Sequence, residues 1–311
     1  MVTAPLPGPW VPWLAERHEV LVFPNPAGPA RPELLAWAAA NRDAAALLAL
    51  LTVRVDEALL GVLPSLRVVA NYAVGVDNVD LTACAARAVV VCNTPEVLTD
   101  ATADLTWALL LACARRVTEG ERFLRDGRWE AFCPTLLLGV PVAGATLGIV
   151  GLGRIGRAVA RRARGFGMRV LYASPRDAGD PEARRVPLEE LLASADFVSL
   201  HCPLNDRTRG LLDAQRLALL RPHAVLVNTA RGPLVDEAAL AEALHAGRLG
   251  GAALDVYTDE PRIPQRLLTA PNTVLLPHLG SASRAAREAM ARLAVEGIAT
   301  ALAGGAPANR V

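Results

Sequence analysis

The chain has 311 residues, of which 52% are hydrophobic, and its length suits roughly two packed domains. Its 32 basic and 31 acidic residues leave a net charge of +1, which argues against a protein that grips duplex nucleic acid through a basic stripe. Every basic residue is arginine, and the lack of lysine excludes Schiff-base catalysis.

Short apolar strands alternate with helices through the first third of the chain. Strands are expected at 18–23, 45–52, 67–70 and 89–92, and helices at 31–41 and 56–63. Continuous apolar strands separated by helices are typical of a parallel sheet covered on both faces. A longer helix then begins at Thr99, a suitable N-cap residue, and runs to Arg116.

A stretch containing glycine and proline, 127–144, precedes a second series of strands and helices. Its strands are expected at 146–150, 169–173, 196–201, 224–228, 252–255 and 273–276, followed by a last helix at 283–303. The fold class is therefore α/β, with two doubly wound parallel-sheet units. The second unit is complete without the last helix, which is free to return to the first.

The cysteines bear on compartment and on metal binding. The five cysteines are scattered and none shows Cys-x-x-Cys spacing, so we expect no disulfide framework and no metal site, in a reducing cytoplasm. Residues 1–13 lack an early positive charge and are interrupted by prolines, which argues against a signal peptide. The sequence contains no charge-free apolar run of about 18 residues, the length that would predict a membrane-spanning helix.

A glycine-rich motif joins the strand at 146–150 to a helix. Gly151, Gly153 and Gly156 follow the order Gly-x-Gly-x-x-Gly, in which they allow the tight turn, the approach of a pyrophosphate and the packing of helix on strand. The helix N-terminus offers amide donors and partial positive charge to a diphosphate. The motif predicts a dinucleotide-binding site.

The end of the next strand bears on the choice of cofactor. NAD-selective folds place a carboxylate there against the ribose hydroxyls, whereas this chain has Ser174, followed by Arg176. Without the carboxylate nothing repels a 2′-phosphate, and a guanidinium can pair with one. The sequence therefore favours NADP(H) over NAD(H). In the alternative, Arg176 is solvated and Asp177 takes the acidic role.

Three polar residues follow strand ends in the second unit, where open α/β sheets bind ligands. One reaction that such residues would suit is the reduction of a 2-keto acid, which requires a hydride, a cation for the carboxylate and a proton for the new hydroxyl. Arg231 suits the carboxylate because its planar fork binds one bidentately. His278 suits the proton because imidazole titrates near neutrality, and Glu260 beside it would favour the imidazolium and fix its tautomer. Each residue type, taken alone, is more often structural at such a place.

Five blocks, 71–78, 151–156, 228–232, 254–261 and 277–283, occur in an order that matches a known family. Over nearly its whole length the chain resembles the D-isomer-specific 2-hydroxyacid dehydrogenases, most closely the glyoxylate/hydroxypyruvate reductase branch. The resemblance implies NAD(P)H-dependent reduction of a small 2-keto acid to the D-2-hydroxy acid, or the reverse. It makes Arg231 the substrate anchor, His278 the proton donor and Glu260 the partner of His278.

The resemblance implies further binding residues. Leu51 and the backbone amides of Val74 and Gly75 would contact the substrate. The implied cofactor contacts are Thr102, Gly151, Gly153, Arg154, Ile155, Gly156, Ser174, Arg176, Cys202, Pro203, Thr229, Ala230, Asp255, His278 and Gly280.

The family likeness also implies the domain organisation. A flavodoxin-like substrate domain would comprise 1–97 plus 281–311, and a Rossmann cofactor domain would comprise 98–280, with the substrate in a cleft between them. Hinge closure would exclude water before hydride transfer. The helix from Thr99 and the segment 125–138 resemble the family's dimer contact, so a homodimer is expected.

Alternatives remain for the identity of the substrate and for the class of function. Family members that take phosphorylated substrates carry an arginine near the first loop, where this chain has Leu50 and Leu51. A small uncharged substrate such as glyoxylate, hydroxypyruvate or pyruvate therefore fits best. D-lactate or a longer 2-hydroxy acid is the first alternative. A nucleotide-gated binding protein like the co-repressors of this fold is the second, disfavoured because the sequence shows no disordered tail.

Overall fold

The computed structural model describes residues 1–311, which divide into two compact units. One unit comprises Met1–Leu98 and Ser281–Val311, and the other comprises Thr99–Gly280. In chain order the elements are α1 (Trp10–Ala15), α2 (Arg31–Ala40), β1 (Ala46–Leu50), α3 (Glu57–Val62), β2 (Val68–Tyr72), α4 (Leu81–Ala86), β3 (Val90–Cys92), α5 (Thr99–Ala114), α6 (Val117–Arg125), β4 (Thr146–Val150), α7 (Arg154–Ala163), β5 (Arg169–Ala173), β6 (Ala183–Arg185), α8 (Leu188–Ser194), β7 (Phe197–Leu200), α9 (Ala214–Leu217), β8 (Val225–Asn228), α10 (Glu237–His245), β9 (Gly251–Leu254), α11 (Gln265–Leu268), β10 (Thr273–Leu275) and α12 (Arg284–Leu302).

The first unit is built on a parallel sheet of order β1-β2-β3. All five residues of β2 are buried, as expected for a central strand covered on both faces. The last helix, α12, packs against this sheet, and the Tyr72 hydroxyl at the end of β2 donates to the Arg287 carbonyl oxygen at 2.5 Å. Return of α12 to β2 makes the first unit discontinuous in sequence.

The strand expected at 18–23 is wrong. Only Val22 in that segment forms a β-bridge, and its partner is Val2, which also bridges Leu48 of β1. The first residues of the chain therefore lie between β1 and the segment 18–23. Pro5 ends this short ladder because proline has no amide to donate.

The second unit is built on a seven-stranded parallel sheet of order β10-β9-β8-β7-β4-β5-β6. Apolar cores cover both faces, with residues of α5 and α7 on one side and residues of α8 and α10 on the other. The strand order reverses between β4 and β7, where such sheets open a ligand crevice at their carboxyl edge. The α/β class with two parallel-sheet units is confirmed.

Two elements of the second unit were not expected. The helix expected over 99–116 ends at Ala114, because Arg116 takes a left-handed φ of +52° and becomes the N-cap of α6. No residue of α6 is buried, and β6 is only three residues long with two arginines. Strand β6 is too short to show the alternation by which strands are found in a sequence, and α6 exposes even its apolar residues Val117 and Leu124.

No helix of the structure combines the length and the apolar composition that crossing a membrane requires.

Candidate active site

The glycine-rich loop between β4 and α7 has the backbone that a diphosphate-binding turn needs. Gly151 has a φ of +94°, and a Cβ there would lie 2.7 Å from the Cys202 amide nitrogen. Gly156 is buried, and a Cβ there would overlap the Gly151 carbonyl oxygen, so glycine lets α7 start against the end of β4. A Cβ on Gly153 would meet no protein atom within 4 Å. The first turn of α7 carries Arg154 and Ile155. These residues fit a dinucleotide.

The loop after β7 forms the other wall of this turn. The His201 amide donates to the Val150 carbonyl oxygen at 2.8 Å, and Cys202 and Pro203 follow. Burial lowers the pKa of His201 to about 3, and its Nε2 lies 2.8 Å from the Ser199 hydroxyl. Burial also raises the pKa of the Cys202 thiol to about 11. Both side chains are therefore neutral beside the point where the strand order reverses.

The loop after β5 carries the residues expected to choose between NADP and NAD. Ser174 follows the last residue of the strand, and Arg176 is exposed. Asp177 accepts hydrogen bonds from the Tyr172 hydroxyl at 2.5 Å and from the Gly179 amide at 2.9 Å. These bonds, led by that from Tyr172, hold the pKa of the Asp177 carboxyl below its usual range. The carboxylate is thus engaged within its own loop.

Three predicted catalytic residues come together at the carboxyl ends of β8, β9 and β10. The Nδ1 of His278 lies 2.9 Å from Oε2 of Glu260, and Oε1 of Glu260 accepts from the Tyr257 amide at 3.0 Å. Burial acts to raise the pKa of the Glu260 carboxyl. The hydrogen bond from His278, the charge of that ring, the Tyr257 amide and the charge of Arg231 together hold it below its usual range. The pair therefore presents an ionised carboxylate to the imidazole.

Asp255 fixes the backbone of His278. Its carbonyl oxygen accepts from the His278 amide at 2.9 Å, and its carboxylate accepts from the amides of Leu279 at 2.6 Å and Gly280 at 2.7 Å. These bonds hold His278 at a φ of +55°, a left-handed conformation uncommon for a residue with a side chain. Burial raises the pKa of the Asp255 carboxyl, and the two amides offset this only in part.

Threonines extend this polar cluster onto α5. The Thr106 hydroxyl lies 3.0 Å from that of Thr229 and donates to the Thr102 carbonyl oxygen at 2.8 Å. A Cβ on Gly280 would lie 3.3 Å from Oδ2 of Asp255 and 3.6 Å from Cγ2 of Thr102. Four predicted cofactor contacts, Thr102, Thr229, Asp255 and Gly280, are therefore clustered in the second unit.

Asn228, the last residue of β8, shapes the turn that carries Arg231. Its Oδ1 accepts from the Ala230 amide at 3.0 Å, and its Nδ2 donates to the Arg231 carbonyl oxygen at 2.8 Å. The guanidinium of Arg231 donates in turn to the Ala230 carbonyl oxygen at 2.8 Å. The turn is fixed before any ligand arrives.

Two residues outside the predicted set bring the Arg231 and Glu260 loops together. A Cβ on the buried Gly232 would overlap the backbone of Tyr257, so only glycine allows this approach. The backbone amide of Tyr257 donates to the Glu260 carboxylate, and the Tyr257 hydroxyl donates to the Leu276 carbonyl oxygen at 3.0 Å. The sequence carries no periodic signal that pairs position 232 with position 257.

The predicted substrate residues of the first unit lie in the turns that follow β1 and β2. Leu51 follows β1, and the turn after β2 contains Val74 and Gly75. The side-chain amides of Asn93 and Asn71 donate to the carbonyl oxygens of Val74 and Gly75 at 2.8 and 2.7 Å. The turn is thus held through its carbonyls, and no hydrogen bond donated by the Val74 or Gly75 amide is found.

Comparison with known proteins gives consistent relatives. The glyoxylate reductase of Thermococcus kodakarensis is 47% identical over 302 residues, covering 94% of this chain and 89% of its own length. A crystal structure of a Thermus thermophilus protein has a TM-score of 0.93 at 48% identity and covers 100% of this chain and 98% of its own.

A further solved structure carries ligands. It is an NADPH-dependent glyoxylate/hydroxypyruvate reductase from Sinorhizobium meliloti, in complex with NADP and malonate. Its TM-score is 0.88 at 35% identity, with 100% of this chain and 95% of that chain covered. The family description "D-isomer specific 2-hydroxyacid dehydrogenase, NAD binding domain" matches residues 107–280, within the second unit. The chain belongs to the D-isomer-specific 2-hydroxyacid dehydrogenase family and is an NAD(P)-dependent oxidoreductase.

Proposed function

We propose that this enzyme reduces glyoxylate, hydroxypyruvate or a similar small 2-keto acid to the D-2-hydroxy acid, with NADPH as the preferred donor. The observation that carries the proposal is the contact between His278 and Glu260, 2.9 Å from Nδ1 to Oε2, with the charge of Arg231 acting on the same carboxylate. Relatives 42–48% identical are glyoxylate reductases, which supports the substrate class.

The three side chains divide the chemistry. Arg231 binds the substrate carboxylate, because a guanidinium matches its geometry. Nδ1 of His278 is hydrogen-bonded to Glu260. The other ring nitrogen, Nε2, is therefore the atom that delivers a proton to the new hydroxyl oxygen. The nicotinamide cofactor, when bound, supplies the hydride. In the reverse direction Nε2 receives the hydroxyl proton.

Val74, Gly75 and Leu51 are the remaining predicted substrate contacts in this proposal. The amides of Val74 and Gly75 would donate to the substrate carboxylate, and the fixed carbonyls of that turn support this role. Leu51 would contact the small group beyond the keto acid. An apolar side chain there suits a substrate without a second charge.

The preference for NADPH is supported by the loop after β5. Asp177, the residue that would favour NADH, is held by Tyr172 and Gly179, while Ser174 and Arg176 follow the strand end. A charge-assisted contact from Arg176 to a 2′-phosphate would contribute about 1.5–3 kcal/mol, which is roughly tenfold or more in affinity. A carboxylate at position 174 would repel that phosphate.

A homodimer is also part of the proposal. Six large apolar residues are exposed on α6 and the segment that follows it, namely Val117, Leu124, Trp129, Phe132, Leu136 and Leu138. Such a concentration of exposed apolar side chains marks an interaction surface. A second copy of this chain is the partner we propose for it. A cytoplasmic location stays a prediction, resting on the five cysteines without disulfides.

The deciding experiment is steady-state turnover with a panel of 2-keto acids and both cofactors. We expect the highest kcat/KM with glyoxylate or hydroxypyruvate and NADPH, and a reversed cofactor order in Ser174→Asp. Highest turnover with pyruvate or a branched 2-keto acid would move the substrate to the D-lactate or longer-chain alternative. An NADH preference in the unmodified protein would point to Asp177, and binding without turnover would favour a co-repressor-like role.

A further inference from the structure

Arg185 on the edge strand β6 holds the loop that follows β5. It lies opposite Tyr172 in the parallel register, two residues before Ser174. Its Nε and Nη2 donate to the Ser174 carbonyl oxygen at 3.2 and 3.0 Å, and Nη2 also donates to the Pro175 carbonyl oxygen at 2.8 Å. A planar guanidinium thus bridges two consecutive carbonyl groups, which an ammonium group is less suited to do.

The far end of the same loop is held by two other residues. The Tyr172 hydroxyl accepts from the Ala178 amide at 3.1 Å. Arg157 of α7 donates to the Ala178 carbonyl oxygen and lies 3.6 Å from the Asp180 carboxylate. All of these bonds are made to the loop backbone or to Asp180. The side chains of Ser174 and Arg176 are not used in any of them.

The guanidinium of Arg185 also adds positive charge to this loop. The Tyr172 hydroxyl is the main cause of the lowered pKa of the Asp177 carboxyl, and the charge of Arg185 contributes to it. Arg176 is a second cation in the loop. The Asp177 carboxylate is engaged by Tyr172 and Gly179, and that of Asp180 lies 3.6 Å from Arg157. The loop therefore suits an anionic group.

We propose that Arg185 is a positioning residue for NADPH selectivity, which holds the backbone of Ser174 and Pro175 so that Ser174 and Arg176 meet the 2′-phosphate. A flexible loop binds a ligand with lower affinity because the loop must be ordered on binding. A loop that is already fixed avoids this cost. The inference rests on the proposed preference for NADPH. It adds a residue on a strand that the sequence did not predict.

The test compares Arg185→Ala with Arg184→Ala. Arg184 is the neighbouring residue on β6 and pairs with Glu190 on α8 at 2.7 Å, so its loss removes the same charge without touching the loop. Dissociation constants for NADPH and NADH are measured from nicotinamide fluorescence. In Arg185→Ala we expect the NADPH constant to rise about tenfold and the NADH constant to stay within about twofold, while Arg184→Ala changes neither.

A conservative variant separates positioning from charge. Arg185→Lys keeps the positive charge but lacks the fork that spans two carbonyls, so it should lose most of the selectivity that Arg185→Ala loses. Wild-type selectivity in Arg185→Lys, together with a loss in Arg185→Ala, would assign the effect to charge and overturn the positioning role. Equal weakening of NADPH and NADH would overturn it as well.

Arg176→Ala reports on the proposed function independently. If Arg176→Ala loses NADPH selectivity and Arg185→Ala keeps it, the inference fails and the cofactor preference stands. If the unmodified protein binds NADH at least as tightly as NADPH, the preference fails and the inference with it.

Discussion

His278 combines a contact to Glu260 with an unusual backbone conformation. At its φ of +55° the backbone amide donates a hydrogen bond to the Asp255 carbonyl oxygen, and the ring Nδ1 lies 2.9 Å from Oε2 of Glu260. Backbone strain of about 1–3 kcal/mol is commonly retained where a functional group needs one orientation. The surrounding Asp255 bonds hold the imidazole in place, so its replacement should affect chemistry more than folding.

For His278→Ala we expect kcat to fall by about 10²–10⁴, because acid–base catalysis of the proton transfer is lost. Cofactor affinity should stay nearly unchanged, since the predicted cofactor contacts at Asp255 and the glycine loop are left in place. Single-turnover kinetics and NADPH titration measure the two effects separately. A kcat near that of the unmodified protein would move the proton donor elsewhere.

Glu260→Gln is expected to shift the pH dependence of reduction. The pKa of the Glu260 carboxyl is held below its usual range, so the carboxylate is charged over the whole assay range and loses its charge only as pH falls through that lowered pKa. A charged partner favours the protonated imidazole. Its removal should move the alkaline limit of keto-acid reduction downward by about 1 pH unit. An unmoved alkaline limit in the kcat/KM profile would separate the two residues functionally.

At the scale of elements, strand ends and loops build the site. The turn after β8 and the loop after β9 approach so closely at Gly232 that a Cβ would overlap the Tyr257 backbone. This approach brings Arg231 to the same carboxylate that contacts His278. Close packing of two backbones therefore determines how Arg231 lies relative to Glu260.

Gly232→Ala should push these loops apart. We expect kcat/KM to fall by about 10²-fold, because small displacements of catalytic groups are costly, and the free energy of unfolding to fall by about 1–3 kcal/mol through overpacking. Gly165→Ala is the matched control in the same unit, since a Cβ there would meet no atom within 4 Å. Denaturant titration and steady-state kinetics of both variants test the prediction, and equal behaviour of the two would refute it.

The elements differ in how far their sequences predict them. Strands β4 and β5 have the expected bounds, because an apolar run beside a glycine motif is a strong local signal. The segment 18–23 has a similar run but pairs only at Val22, since its partner strand is ended by Pro5. The Gly232–Tyr257 contact joins positions far apart in sequence, and no local pattern encodes it.

At the scale of the molecule, the C-terminal segment completes the first unit. The Asn309 side chain donates to the carbonyl oxygens of Asn93 at 2.7 Å and Leu293 at 3.1 Å, and the Val311 amide donates to that of Val91. These bonds fasten the end of the chain to β3 and α12. The second unit needs no such return, because its sheet is formed by one continuous segment.

The exposed apolar surface of α6 and the following segment leads to the last prediction. The side chain of Phe132 is 86% exposed, and that of Trp129 is 58% exposed. Burying this apolar surface against a second copy would stabilise a dimer by about 25 cal/mol per Å². A charged side chain in the centre of the surface would oppose that burial. We therefore expect Phe132→Glu to convert a dimer into a monomer in light-scattering measurements at low micromolar concentration.

Leu268→Glu is the control for this prediction. Leu268 is 48% exposed on α11, in the same unit but outside the exposed apolar surface, so the same charge there should leave the dimer intact. NADPH affinity should be preserved in Phe132→Glu, because the glycine loop and the loop after β5 are untouched, which shows that the variant is folded. If the unmodified protein is monomeric, or if both variants dissociate equally, this surface is not the dimer contact.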